Sequence, residues 1–272
     1  MKIAVVAPSC TLHREAADAV AEIVATRGGV ALSIHPQCFA SAGHFAGPDL
    51  QRLAALREVM ADPSIDAVWF ARGGYGSNRI ADAAVRDLPD AARGKRYLGY
   101  SDAGFLLAAF DKAGLSVAHG PMVQDVRRAG GIAAIERALG WLVEGARESL
   151  EPGLVPGGRA MAFNLTVLSN LLGTAIEPDF TGADLMIEDV AEHDYRIDRM
   201  MFHLTSSPAI RRCARLRLGR MSEIPANDPP FGDDAGAIVR DWCNRAGIAF
   251  GGAADIGHDA ANRVVPFDLA RD

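Results

Sequence analysis

The stretch Tyr97-Leu98-Gly99-Tyr100-Ser101-Asp102-Ala103, running on into the apolar segment 105–110, decides how this chain is read. Tyr97-Leu98 reads as the end of a buried strand, and 105–110 as the start of a helix. Ser101 then sits on a sharp strand-to-helix turn, with Gly99 two residues before it and Ala103 two after. This is the pattern of a nucleophile elbow in relaxed form, since strand and helix crowd each other beside the serine and leave room only for small neighbours. An ordinary strand–turn–helix with a solvated serine fits the same residues.

Outward from the elbow, strand and helix patterns alternate. Residues 3–7, 30–35, 67–71 and 116–119 read as strands, and 14–26, 50–60, 80–84 and 132–143 as helices. This order predicts an α/β fold with a parallel sheet covered on both faces, and ligands collect at the carboxyl ends of such strands. Three unusual loops fall there: Pro8-Ser9, Arg72-Gly73-Gly74-Tyr75-Gly76 and 99–102. Proline, glycine and charge crowd 144–158, which predicts a linker. The expected division is 1–143, a linker at 144–160, and a second, smaller α/β domain at 161–272. In that domain, strand patterns at 185–188, 214–218 (half-exposed) and 248–250 mix with helical ones at 165–172, 199–205 and 235–246. No regular βαβ rhythm is apparent there.

Composition narrows the function. A hydrophobic content of 49% supports a sizeable core, and the net charge of -6 argues against a general nucleic-acid surface. Four scattered cysteines show neither metal-ligand spacing nor a disulfide pattern, as in a reducing compartment. No apolar run approaches the ~20 residues of a membrane span. Lys2 leads straight into an apolar strand pattern rather than a cleavable leader, so a cytoplasmic protein is expected.

Several residues could carry chemistry. After the apolar strand 67–71, the glycines of Arg72-Gly73-Gly74-Tyr75-Gly76-Ser77 let backbone N–H groups converge on an anion. A phosphate cradle, part of an oxyanion hole and a plain turn all fit, but a P-loop lysine is absent. Glu188 ends the apolar run Leu185-Met186-Ile187, where a carboxylate needs a partner; His258 or a nearby arginine, Arg196 or Arg199, would serve. His258 lies in a loop after a strand, as a general base would, and His119 competes with it. No His-x-x-x-His pair is present, so no metal is expected. Ser101, Glu188 and His258 occur in the chain order of an α/β-hydrolase triad, although order alone does not bring them together.

At this point the chain resembles the LD-carboxypeptidases, serine peptidases that include muramoyltetrapeptide carboxypeptidase and the microcin-immunity peptidases. The matching segments begin with Ala4-Val5-Val6-Ala7-Pro8-Ser9, Arg72-Gly73-Gly74-Tyr75-Gly76, Gly99-Tyr100-Ser101-Asp102 and His119-Gly120-Pro121-Met122. They continue through Asn164-Leu165, Leu172-Gly173-Thr174, Glu188-Asp189-Val190, Tyr195-Arg196-Ile197-Asp198-Arg199 and Gly257-His258. The resemblance implies a flavodoxin-like or Rossmann-like N-terminal sheet and a smaller C-terminal α/β domain. It implies Ser101 as nucleophile, His258 as base and Glu188 as the group orienting it, in a cytoplasmic homodimer needing no metal or cofactor. Backbone N–H groups of Asp102 and of Gly73 or Gly74 become the expected oxyanion hole. Arg72, Tyr75, Phe163 and Asn164 become expected substrate contacts, with Arg72 near the right loop for the substrate carboxylate.

The implied reaction is removal of the terminal D-alanine from murein tetrapeptide at an L-to-D bond, in cell-wall recycling. Two departures bear on the substrate: Ala162-Phe163-Asn164 stands where many members have Gly-Gly-Asn, and Ala254-Asp255-Ile256 precedes the histidine. A microcin-type peptidyl-nucleotide hydrolase is one alternative, weakened because Trp69, Trp141 and Trp242 fall in apparent core segments. A non-catalytic module holding a small anion at the glycine loop is another.

Overall fold

The computed structural model describes residues 1–269. Strand β1 (Lys2–Val6) leads to helix α1 (Arg14–Ala25), β2 (Ala31–Ile34), α2 (Asp49–Ala61) and β3 (Ala67–Phe70). Helix α3 (Asn78–Ala84), β4 (Arg96–Gly99), α4 (Gly104–Lys112), β5 (Ser116–His119) and α5 (Gly131–Leu139) follow. The five strands pair in parallel in the order β2-β1-β3-β4-β5, the order of flavodoxin-like sheets. The period-2 alternation of β1 shows why both faces are covered. Ile3 and Val5 join a core with Val20 of α1 and Ile135 of α5. Ala4 and Val6 join another with Leu56 of α2, Ala81 of α3 and Leu107 of α4.

The second half runs β6 (Ala160–Asn164), α6 (Leu165–Leu171), β7 (Asp184–Val190), α7 (Asp194–Ser206), β8 (Arg215–Ser222), α8 (Ala235–Ala246) and β9 (Phe250–Ala253). All four strands are parallel and lie in chain order, β6-β7-β8-β9. The irregular mixture expected from the sequence is therefore a regular βαβ succession. Two strands hid it. β6 starts at the edge of the proline- and glycine-rich stretch, and β9 reads Phe-Gly-Gly-Ala, without the branched residues that signal a strand.

The stretch 144–160 is anchored at Glu151. The buried Glu151 accepts Arg217 Nη1 at 2.8 Å and Nη2 at 2.7 Å, and the N–H of Gly153 at 2.8 Å. Arg217 is thus buried in a strand whose alternation reads as half-exposed. A last short strand, β10 (Val265–Pro266), returns to the first sheet and pairs antiparallel with β5, although it lies within 161–272. One core spans the two sheets: Phe163, Leu185, Ile187 and Leu216 share it with Leu107, and α4 packs on α6. The carboxyl ends of β4 and β7 meet across this junction.

Candidate active site

Ser101 leaves β4 on a strained turn. Tyr100 is fully extended, Ser101 takes φ +57, and a short turn over Ser101–Ala103 feeds α4. A left-handed serine is uncommon and persists only where surrounding contacts fix it. The side chain of Asp102 supplies them. Buried, it accepts the Ser9 hydroxyl at 2.5 Å and the Ser77 N–H at 2.8 Å, while its carbonyl accepts the Ser77 hydroxyl. The elbow, the Pro8-Ser9 loop and the glycine loop are thereby locked together. Gly73 lies against the serine: a Cβ there would stand 2.8 Å from Ser101 Oγ, so only glycine brings this backbone so close.

Glu188 belongs to β7 and is fully buried. Opposite it, β8 carries one extra residue, the register passing from Ile187↔Leu218 to Asp189↔Met221. This bulge places Gly219 and Arg220 beside the site, as bulges re-aim side chains near functional centres. Gly219 gives Glu188 and Ile256 room, since a Cβ would meet Ile256 at 2.6 Å and Glu188 Cβ at 3.1 Å. Arg220 clamps the histidine loop from both sides, donating to Asp255 at 2.6 Å and to Asp259 at 2.5 and 2.9 Å. The unusual Asp255 before the histidine is thus half of a clamp, paired also with Arg263 at 3.1 Å.

These elements bring the three distant residues into one chain. His258 Nε2 lies 3.0 Å from Ser101 Oγ, and His258 Nδ1 lies 2.5 Å from Glu188 Oε2. Burial works against an imidazolium at His258, but the charge and hydrogen bond of Glu188 outweigh it and hold its pKa above the ordinary value. Glu188 Oε1 is buried without a partner among the described residues, so histidine alone answers the carboxylate. Next to it, Asp189 accepts Asn164 Nδ2 at 2.7 Å and the N–H and hydroxyl of Thr166, both at 2.9 Å. Asn164 also caps α6 through the Val167 N–H. It lines the cleft together with Tyr75, which is 47% exposed at the rim and packs near His44 and Phe45.

His119 is no rival base. Its Nε2 bonds Asn262 Oδ1 at 3.1 Å, and that oxygen also accepts the Gly257 N–H, so the pair steadies the His258 loop. Burial pushes the His119 pKa down to about 4 and keeps it neutral. Phe163 also departs from expectation. It lies in the core at 1% exposure, packed on Phe180 and Phe267 and facing Gly104, and does not line the cleft. Its neighbour Asn164, at the end of β6, reaches the site instead. Arg196 pairs with Glu192 and Arg199 lies over Tyr195, so neither meets Glu188. Trp69 and Trp141 are buried, and the half-buried Trp242 donates to Asp198.

Two cavities share Ser101, His258 and Gly74. One, of about 650 Å³, adds Tyr75, Asn164 and Glu192; the other, of about 140 Å³, adds Arg72, Gly73 and Arg128. Among the described residues, no cluster of three or more His, Cys, Asp or Glu could hold a metal ion, and no helix is long and apolar enough to cross a membrane. A hydroxyl, an imidazole and a carboxylate in series, with backbone N–H groups beside the hydroxyl, constitute the equipment of acyl transfer.

Comparison with known proteins agrees with this equipment. Residues 3–120 match the family description LD-carboxypeptidase N-terminal domain, and residues 157–270 match LD-carboxypeptidase C-terminal domain. A carboxypeptidase homologue from Synechocystis sp. is 34% identical over 82% of this chain and 75% of its own. The murein tetrapeptide carboxypeptidase of Pseudomonas aeruginosa is 26% identical over 98% of this chain and 91% of its own. Among solved structures, muramoyltetrapeptide carboxypeptidase from Oxalobacter formigenes superposes with a TM-score of 0.80 at 25% identity, over 97% of this chain and 93% of that one. With domain matches across both halves of the chain, this protein belongs to the LD-carboxypeptidase family.

Proposed function

We propose that the protein is a serine LD-carboxypeptidase that removes the terminal D-alanine from murein tetrapeptide. The observation that carries the proposal is the unbroken contact series Ser101–His258–Glu188 at 3.0 and 2.5 Å. Ser101 Oγ attacks the carbonyl carbon of the scissile bond and gives its proton to His258 Nε2. The imidazolium is stabilised by Glu188, which does not itself take the proton. Charge on the carbonyl oxygen is met by the N–H of Asp102 and that of Gly73 or Gly74, in the role where one lost donor typically costs ~10²–10³ in kcat. As the C–N bond breaks, His258 passes the proton to the leaving amine, and D-alanine departs. Water activated by His258 then cleaves the acyl–Ser101 ester and restores the hydroxyl.

Arg72, Tyr75 and Asn164 are the substrate contacts in this reading, and Phe163 acts only by packing. The same reading makes the protein a homodimer, which sedimentation of the purified chain checks, and a cytoplasmic one, which cell fractionation checks. Peptidyl-nucleotide hydrolysis is the second reading. It is favoured by one observation, the exposed Tyr75 beside His44 at the cleft rim, where a base could stack.

The test is mass spectrometry of L-Ala-γ-D-Glu-meso-diaminopimelate-D-Ala incubated with wild type and with Ser101→Ala. D-Alanine released by wild type alone is expected. Release by both proteins would remove Ser101 from the nucleophile role. Release by neither, with Ser101 still labelled by a serine-directed probe, would transfer the machinery to another substrate.

A further inference from the structure

We infer that the small cavity beside Ser101 seats the single residue released by cleavage, and that Arg128 grips its free carboxylate. This rests on the carboxypeptidase reading above and deepens it. The acyl part and the leaving part of a scissile bond lie on opposite sides of the nucleophile, and here Ser101 and His258 border two cavities of unequal size. The larger suits a peptide, whereas 140 Å³ suits one small residue. Buried Gly73 and Met122 line the smaller one side by side: a Cβ on Gly73 would stand 3.5 Å from Met122 Cε.

Charge divides the two cavities in the same sense. The larger is lined by Asp82, Asp102, Asp189 and Glu192, each hydrogen-bonded or paired, and by no lysine or arginine, whereas the smaller is lined by Arg72 and Arg128. Its one acid, Asp125, is already occupied. Oδ1 accepts the Tyr100 hydroxyl at 3.0 Å and Arg128 Nε at 2.8 Å, and Oδ2 accepts the Met122 N–H at 2.8 Å. A C-terminal carboxylate is therefore drawn to the small side, where the two arginines lie.

Of the two arginines, Arg128 is the more rigidly held. Arg72 turns Nη1 toward the Thr11 carbonyl at 3.2 Å. Arg128 is braced from behind, Nε on Asp125 and Nη2 3.5 Å from the Tyr100 hydroxyl, and its Nη1 has no partner among the described residues. The Tyr100 ring lies 4.9 Å from the His258 ring, so the hydroxyl that Arg128 approaches belongs to a side chain packed on the histidine. In the substrate, the carboxylate is only two bonds from the nitrogen that His258 must protonate. A planar guanidinium held from behind on the wall of this cavity, with Nη1 free, is built to take a carboxylate.

The experiment compares the tetrapeptide with the same peptide ending in a carboxamide. Turnover of both is measured for wild type and Arg128→Gln, and binding of both, by calorimetry, for Ser101→Ala and Ser101→Ala/Arg128→Gln. Wild type is expected to prefer the free acid by about a hundredfold in kcat/KM, the scale of a lost charge-assisted pair. In Arg128→Gln that preference should collapse to near one, and the binding preference of Ser101→Ala should collapse in the same way. A merely structural arginine would weaken both peptides alike and leave the ratio intact, so an unchanged ratio overturns the inference. So does a wild type indifferent to the amide. Failure of the peptidase reading looks different: no D-alanine release by wild type, while the binding ratio still decides the role of Arg128. Absence of binding by either peptide sinks both.

Discussion

Replacing Glu188 with Gln keeps the shape of the side chain and removes the charge behind His258. In the proposed acylation step His258 becomes a cation whose Nδ1 is 2.5 Å from Glu188 Oε2. With charge centres about 4 Å apart and an effective dielectric of about 20, the lost attraction is about 4 kcal/mol. At about 1.36 kcal/mol per decade, this is roughly a thousandfold in kcat. The amide adds to the loss by donating to Nδ1 and favouring the wrong tautomer. The pH profile supplies an independent sign. Glu188 holds the His258 pKa above its ordinary value, and the base must be neutral to act, so the rate climbs as pH rises through that pKa. In Glu188→Gln the climb should begin at lower pH and end on a plateau roughly a thousandfold lower. D-Alanine release followed across the pH range measures both. A plateau loss below about tenfold, with the acid limb unmoved, would refute an orienting and charge-balancing role for Glu188.

Gly73→Ala should lower kcat by roughly a hundredfold with a smaller change in KM, because its Cβ, 2.8 Å from Ser101 Oγ, must displace the nucleophile; steady-state kinetics decide. His119 supplies a stability prediction. Its folded pKa of about 4 lies below the ordinary 6.5, so its contribution is full above pH 6.5 and is lost as pH falls toward 4. The amount is on the order of 3 kcal/mol, and urea unfolding at neutral and acid pH, beside His119→Gln, should show that part of the acid loss vanish in the variant.

Much of this architecture is legible in the residues. The fully apolar run Ala-Val-Trp-Phe of β3 and the small residues flanking Ser101 report a buried parallel strand and a tight elbow. That is because a strand covered on both faces leaves no polar position in its sequence. The second sheet is harder to read, since Phe-Gly-Gly-Ala carries no strand signature and its pairing is set by neighbouring strands. Phe163 misleads because replacing a pocket glycine implies a changed wall, while strand alternation turns the ring toward Phe267. The supports of the site are the least legible. Arg220 reaches Asp255 and Asp259 across 35 and 39 residues, through a one-residue bulge that no local pattern announces. Asp102 reads in sequence as a backbone donor, yet its carboxylate is the clasp that joins two other loops to the elbow.

The separation of the reacting groups along the chain has a consequence for synthesis. Ser101 and His258 are 157 residues apart, and Glu188 is 70 residues from His258. A ribosome making this chain exposes Ser101 long before His258, and the helix behind the elbow awaits residues 163–216 to complete its core. Even after His258 emerges, its loop is held by Arg220 and flanked by β10, which must find the edge of a sheet made much earlier. The proposed triad therefore cannot be complete until residue 258 has been made and its loop has reached Ser101 and Glu188.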